Sequence, residues 1–197
     1  MLEFTIENEQ YEKGYKVICG VDEAGRGCLC GPVYAAAVVL PIDYSHPDLN
    51  DSKKISPKKR DILFDDIIQK AVAYSVAFAT VDEIEEINIL NAAMLAMRRA
   101  VAGLGVKVDL ALVDGNIARG FECETKTVVK GDSISPSIAA ASILAKVSRD
   151  RYITEIAKIY PQYAFEKHKG YATKEHINAI RTYGPCEIHR PSFLKKI

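Results

Sequence analysis

The chain has 197 residues, of which 48% are hydrophobic and 26% charged, with 26 Lys and Arg balanced by 26 Asp and Glu. Such a composition suits a globular chain able to bury a sizeable core and excludes a largely disordered one. A formal net charge of zero means that no global basic field announces a nucleic-acid partner, although acidic metal ligands would mask basic patches in the sum.

The opening residues are acidic and lack the basic and apolar regions of a signal peptide, and the longest apolar run, residues 33–40, is too short to span a bilayer. Five cysteines, an odd number, with no export signal point to a reducing, cytoplasmic setting. Cys28 and Cys30 have no second Cys or His pair at zinc spacing, so both read as small buried residues.

Residues 17–21 read as a short buried strand that runs into Asp22-Glu23-Ala24-Gly25-Arg26-Gly27. Two adjacent carboxylates entering a protein are costly unless they are paired or hold a cation, and hard divalent ions prefer oxygen ligands. Neighbouring strand residues face opposite ways, so both acids reach one ion only if the strand bends or bulges there. Two solvated acids at a strand end are the plain alternative. Residues 33–40, bracketed by Pro32 and Pro41, read as a second strand, antiparallel to the first through the glycine turn.

Ser56-Pro57 predicts a helix from 57 to about 70, since Ser caps and Pro suits the first helical position. The polar stretch before it offers Lys53 and Lys54 as phosphate contacts, or simply a solvated helix entry. Residues 73–81 predict a third strand. Residues 82–103 predict a helix, with an apolar stripe at Ile84, Ile87, Leu90, Met94, Met97 and Val101. A fourth strand ends on Asp114, where α/β sheets place their sites, though Asp114-Gly115 also suits a turn. Residues 124–130 predict a fifth strand whose exit carries Asp132. A helix over 137–160 follows, with Lys146, Arg149, Asp150 and Arg151 as its charged face, and another over 174–183. His168, His176 and His189 are scattered and read as structural or surface residues.

Right-handed crossovers would gather the exits of strands one, four and five on one edge of a mixed sheet. Asp22, Glu23, Asp114 and Asp132 would meet there, and four anions cannot all stay ionised without cations. Two Mg²⁺ or Mn²⁺ ions roughly 4 Å apart would use such a set to clamp a phosphodiester. No nucleophilic Ser or Cys paired with a His is evident.

Asp22-Glu23-Ala24-Gly25-Arg26-Gly27 with Gly31-Pro32-Val33, Val113-Asp114-Gly115, Lys130-Gly131-Asp132, the run from Ser137 to Val147, and Lys169-Gly170-Tyr171 stand in the order and spacing of ribonuclease HII, which this chain resembles from about Val17 to Phe193. The resemblance implies an α/β fold: an RNase H-like mixed five-stranded sheet flanked by helices in residues 1–160, with a small helical C-terminal extension in 161–197 packed on it. It implies that Asp22, Glu23, Asp114 and Asp132 are the catalytic, metal-binding acids, with Mg²⁺ or Mn²⁺ as cofactor. Gly25, Arg26 and Gly27 would sense a ribonucleotide 2′-hydroxyl, and Tyr171 would pack on the adjoining sugar, favouring an RNA–DNA junction. The expected partners are RNA/DNA hybrids or duplex DNA containing ribonucleotides. These would be cut 5′ to the ribonucleotide to leave 3′-hydroxyl and 5′-phosphate ends, as ribonucleotide excision repair requires. A monomer with no membrane association and no obligate protein partner is expected.

Ala172 and Pro191 depart from the family pattern, which usually has Gly and Arg there. Ribonuclease HIII typically carries Lys in its glycine motif, where this chain has Arg26. Two other readings stay open: a non-catalytic RNA–DNA binding module, and a dinucleotide-dependent enzyme using Gly25, Gly27 and Gly31 with Asp43 as a ribose ligand.

Overall fold

The computed structural model describes every residue except 1, 51, 53, 54 and 196. It opens with a helix that no apolar stripe announces, α1 (Thr5–Glu12), which buries Glu7 and Gln10. Five strands follow at the expected places: β1 (Ile18–Ala24), β2 (Val33–Val39), β3 (Ala73–Ala79), β4 (Leu110–Asp114) and β5 (Glu124–Val128). They form one mixed sheet in the order β3-β2-β1-β4-β5. The pairs β1–β2 and β2–β3 are antiparallel, whereas β1–β4 and β4–β5 are parallel.

The long helices cover both faces. Helix α2 (Pro57–Lys70) starts on Ser56, and α3 (Val81–Ala102) on a capping box of Thr80 and Glu83. Helix α3 is two segments joined at Asn88, whose φ of 67° breaks the run, while its side chain accepts from the N–H groups of Leu90 and Asn91 at 3.1 Å. The long helix α4 (Pro136–Ile159) follows β5. Alternation along the strands sorts the core. Cys19, Val21, Val33, Ala35, Ala37, Ala111 and Val113 face α3, while Ala36 and Val38 face α2 and α4. On this pattern Asp22, one residue after Val21, belongs to the α4 side.

Two devices seat α4 on β1. A Cβ at Gly20 would overlap the Ser137 backbone, so only glycine lets the first turn of α4 lie on the strand. Glu7 reaches the same turn, accepting from the Ser135 hydroxyl at 2.6 Å and the Ser137 N–H at 3.1 Å. A carboxylate there satisfies orphan donors and complements the helix dipole. Beyond α4 the chain forms α5 (Phe165–His168), α6 (Lys174–Tyr183) and α7 (Pro191–Leu194). Tyr163, Phe165, Ala179 and Ile180 pack there with Leu29, Cys30 and Ile153. His168, His176 and His189 are buried in this segment rather than at the surface.

Gly20→Ala should destabilise the chain by about 3 kcal/mol in denaturant unfolding, because backbone lies on both sides of the overlap and cannot yield. Burial pushes His176 down from the usual 6.5 to about 4, so the unfolded chain takes up that proton first. The contribution of His176 to stability is therefore complete above pH 6.5 and falls as pH drops from 6.5 towards 4. Unfolding measured across that window should lose stability more steeply in the native chain than in His176→Asn.

Candidate active site

Asp22 lies two residues before the end of β1. The ladder with β2 runs regularly through Glu23↔Ala35 and Ala24↔Tyr34. The strand therefore does not bulge, contrary to the condition read from the sequence, and Asp22 and Glu23 leave it on opposite faces. The Glu23 charge still acts on Asp22, so Glu23 can reach a shared site only over the end of the strand. Asp22 is buried towards α4, where the Ser142 hydroxyl and the Glu23 N–H, the latter at 2.7 Å, hold its carboxylate. Burial, then the charges of Glu23 and Asp114, push its carboxyl well above the usual range. Among the described residues no cationic side chain pairs with it.

Asp114 ends β4, and the parallel register pairs Val21 with Val113. Asp22 and Asp114 thus follow side by side on the two central strands, on the same face. Asp114 accepts from the Gly131 N–H at 2.7 Å. That contact ties β4 to the short 3₁₀ turn Gly131–Ser133, in which Asp132 is buried. Glu23, half-buried, receives Arg26 at 3.0 Å. Among the described residues no three Asp, Glu, His or Cys side chains already converge as a set of ligands. Glu23 is turned onto Arg26 and Asp114 onto a backbone N–H, as expected of acids that repel one another. The donor set nonetheless fits a hard cation: all are carboxylate oxygens, and the most buried is raised first by its burial and then by its acidic neighbours.

The glycine loop between β1 and β2 is held by two buried arginines. Arg149, expected on a charged helix face, is instead fully buried. It donates to the carbonyls of Pro32 (3.3 Å), Cys30 (3.0 Å) and Lys169 (2.9 Å). Arg190 is equally buried and donates to the carbonyls of Gly31 (2.8 Å), Arg26 (3.1 Å) and Cys28 (2.8 Å). Burial and the nearby Arg149 lower the pKa of Arg190 to about 10. Gly25 adopts φ 97°, and a Cβ there would overlap the Arg149 side chain. Sequence reasoning missed both arginines as loop supports; the available signal was Arg149 following an alanine-rich, wholly buried stretch of α4.

Tyr171 is 40% exposed beside this loop. Its hydroxyl bonds the Cys28 thiol, and Lys146 Nζ lies 5.2 Å from its ring centre. Lys146 also pairs with Asp150 at 2.8 Å, so Asp150 is an ion-pair partner on α4. A groove of about 1030 Å³ begins at Lys146 and Tyr171 and is lined by five basic and four acidic side chains. Cys28 and Cys30 are buried thiols. Lys53 and Lys54 lie outside the described residues. The glycine loop leads into an antiparallel strand rather than a helix, which removes the dinucleotide-binding reading. No helix among the described residues is long and apolar enough to cross a membrane.

A family model for ribonuclease HII matches residues 19–196. Ribonuclease HII of Caldicellulosiruptor bescii is 56% identical over 194 residues, covering 98% of this chain and 94% of that protein. The crystal structure of ribonuclease H2 from Pyrococcus horikoshii OT3 superposes with a TM-score of 0.74 at 26% identity, covering 90% of this chain and 93% of that one. Bst-RNase HIII, solved in complex with Mn²⁺, shares the fold with a TM-score of 0.64 at 16% identity, over 88% of this chain and 65% of that one. With the mixed sheet, the acids at its strand exits and this match over nearly the whole chain, the protein belongs to the ribonuclease HII family and is a ribonuclease H.

Proposed function

We propose that Asp22, Glu23, Asp114 and Asp132 form a divalent-cation site at which the chain cuts RNA/DNA hybrids and nicks duplex DNA 5′ to a single embedded ribonucleotide. The observation that carries this reading is the placement of Asp22 and Asp114 side by side on β1 and β4, with Gly131 tying the Asp132 turn to Asp114. The Mn²⁺ held by a protein of the same fold agrees with it. Two ions of Mg²⁺ or Mn²⁺, when bound, supply activation of the attacking water and neutralisation of the leaving oxygen.

The chain's own residues do the rest. Asp22, raised by burial and its neighbours, is a carboxylate whose ionised form a bound cation would favour. The carbonyls of Arg26, Cys28 and Gly31 are turned inward onto Arg190. The Gly25, Arg26 and Gly27 backbone is thereby held against the protein, with its outer face left for a ribose 2′-hydroxyl, the group that distinguishes RNA from DNA. Tyr171 presents an exposed aromatic face beside that loop for the adjoining sugar. The groove beyond Tyr171 offers basic side chains for the phosphates, with Lys53 and Lys54, which precede α2 in the sequence, as further contacts.

The test is cleavage of an end-labelled DNA duplex containing one ribonucleotide, with Mg²⁺, Mn²⁺ or EDTA. The native chain should nick once, 5′ to the ribonucleotide, only with metal. Asp114→Asn should reduce the rate at least about 100-fold, the upper end of what even outer-shell partners of a bound metal contribute. Cleavage of long hybrids but not of this duplex would remove the single-ribonucleotide reading. Undiminished cutting by Asp114→Asn would remove the site.

A further inference from the structure

The histidines buried behind Tyr171 are joined in a line whose proton positions follow from their partners. The Cys186 N–H donates to His189 Nδ1 at 2.9 Å, so that nitrogen carries a lone pair. The Cys186 carbonyl also lies 3.2 Å from Nδ1, but a proton there would confront the Cys186 N–H. A neutral His189 must then carry its proton on Nε2, which lies 3.1 Å from His176 Nε2. His176 accepts at that atom and in turn carries its proton on Nδ1, which donates to the Tyr171 carbonyl at 2.9 Å. The same accounting for His168 has Nδ1 accepting from the Gly170 N–H at 3.2 Å and Nε2 donating to the Tyr163 carbonyl at 2.9 Å. The His168 and His176 rings stack with centroids 4.4 Å apart.

Three successive carbonyls before and at the exposed tyrosine are thus each pinned by a different element. Arg149 of α4 holds Lys169, the Leu29 N–H of the glycine loop holds Gly170 at 2.8 Å, and His176 of α6 holds Tyr171, whose carbonyl also accepts locally from the Thr173 N–H at 2.8 Å. Lys169 and Gly170 both take positive φ, 52° and 85°, a tight turn that needs such anchoring.

We infer that His189 and His176 form a neutral, one-directional hydrogen-bond relay that positions Tyr171 against the glycine loop, making them positioning residues for the discrimination of an RNA–DNA junction. The inference rests on the proposed role of Tyr171 as a sugar contact. A packing role alone would require only rings of this size. The relay requires a donor at the Nδ1 position of residue 176.

Two substitutions separate these requirements. In His176→Asn the side-chain amide takes the Nδ1 position and can still donate to the Tyr171 carbonyl. In His176→Gln it takes the Nε2 position, and that carbonyl keeps only its local bond from the Thr173 N–H. The quantity to measure is kcat/KM for a duplex with one ribonucleotide divided by kcat/KM for a continuous RNA/DNA hybrid, for the native chain, both variants and Tyr171→Ala. The ratio should fall about fivefold in His176→Gln, the effect of one lost hydrogen bond. It should stay within about twofold of native in His176→Asn and fall further in Tyr171→Ala. An unchanged ratio in His176→Gln, or an equal fall in both His176 variants, overturns the relay. An unchanged ratio in Tyr171→Ala instead removes the role of Tyr171. Independently of any variant, ¹⁵N histidine spectra of the native chain should show His176 protonated on Nδ1 and His189 on Nε2. The opposite tautomer on His176 overturns the assignment.

Discussion

Burying the carboxylate of Asp22 between the central strand and α4 is the constraint from which the rest of the structure follows. A desolvated acid beside two others is unfavourable in proportion to its burial, and the fold tolerates it by supplying the Ser142 hydroxyl and one backbone N–H. Ser142 reaches it only because α4 lies close along β1 and in step with it. From Gly20 to Asp22 the strand advances about 6.6 Å, and from Ser137 to Ser142 the helix advances about 7.5 Å. From Gly20 to Gly25, the first residue past the strand, the chain covers at most about 16.5 Å, and from Ser137 to Arg149 the helix covers about 18 Å. The three contacts Gly20–Ser137, Asp22–Ser142 and Gly25–Arg149 are therefore one alignment seen at three points. Glycine at its first point sets the separation, and Glu7 holds the helix end that starts it.

The glycine loop obeys a second, opposite constraint. Arg149 and Arg190 are two buried cations whose described bonds go to backbone carbonyls rather than carboxylates. Fixed guanidinium groups under a loop hold its geometry and bias the surface above it towards anions. The acids at the strand exits and the cations beneath the neighbouring loop thus place opposite fields side by side. That arrangement suits a phosphodiester held at one side by its phosphate and at the other by a cation.

Much of the fold is legible in local sequence pattern. The succession of five strands, the cap at Ser56 and the acids closing β1 and β4 are all consequences of alternation and chain punctuation, whereas the Thr80 cap of α3 was read as part of the third strand. Helix α1 was not legible, because it is held by one buried Glu7 at a helix end 128 residues away, a contact with no local signature. The break at Asn88 was hidden because the apolar stripe continues across it. Arg149 looked like part of a charged face because its neighbours Asp150 and Arg151 are charged, yet the carbonyls that bury it come from the loop at residues 30–32 and from Lys169. The histidines looked scattered because their alignment exists only once α5, α6 and the segment before α7 are packed. Long-range polar partners, more than hydrophobic periodicity, are what sequence reading lacked.

The central claim is that the acids around Asp22 are a cation site, and calorimetric titration of Mn²⁺ into the full chain tests it most directly. The account predicts saturable binding that weakens at least about 100-fold in Asp22→Asn, since the most buried ligand of the set is lost. Absence of saturable binding to the native chain, or equal binding to Asp22→Asn, would contradict it.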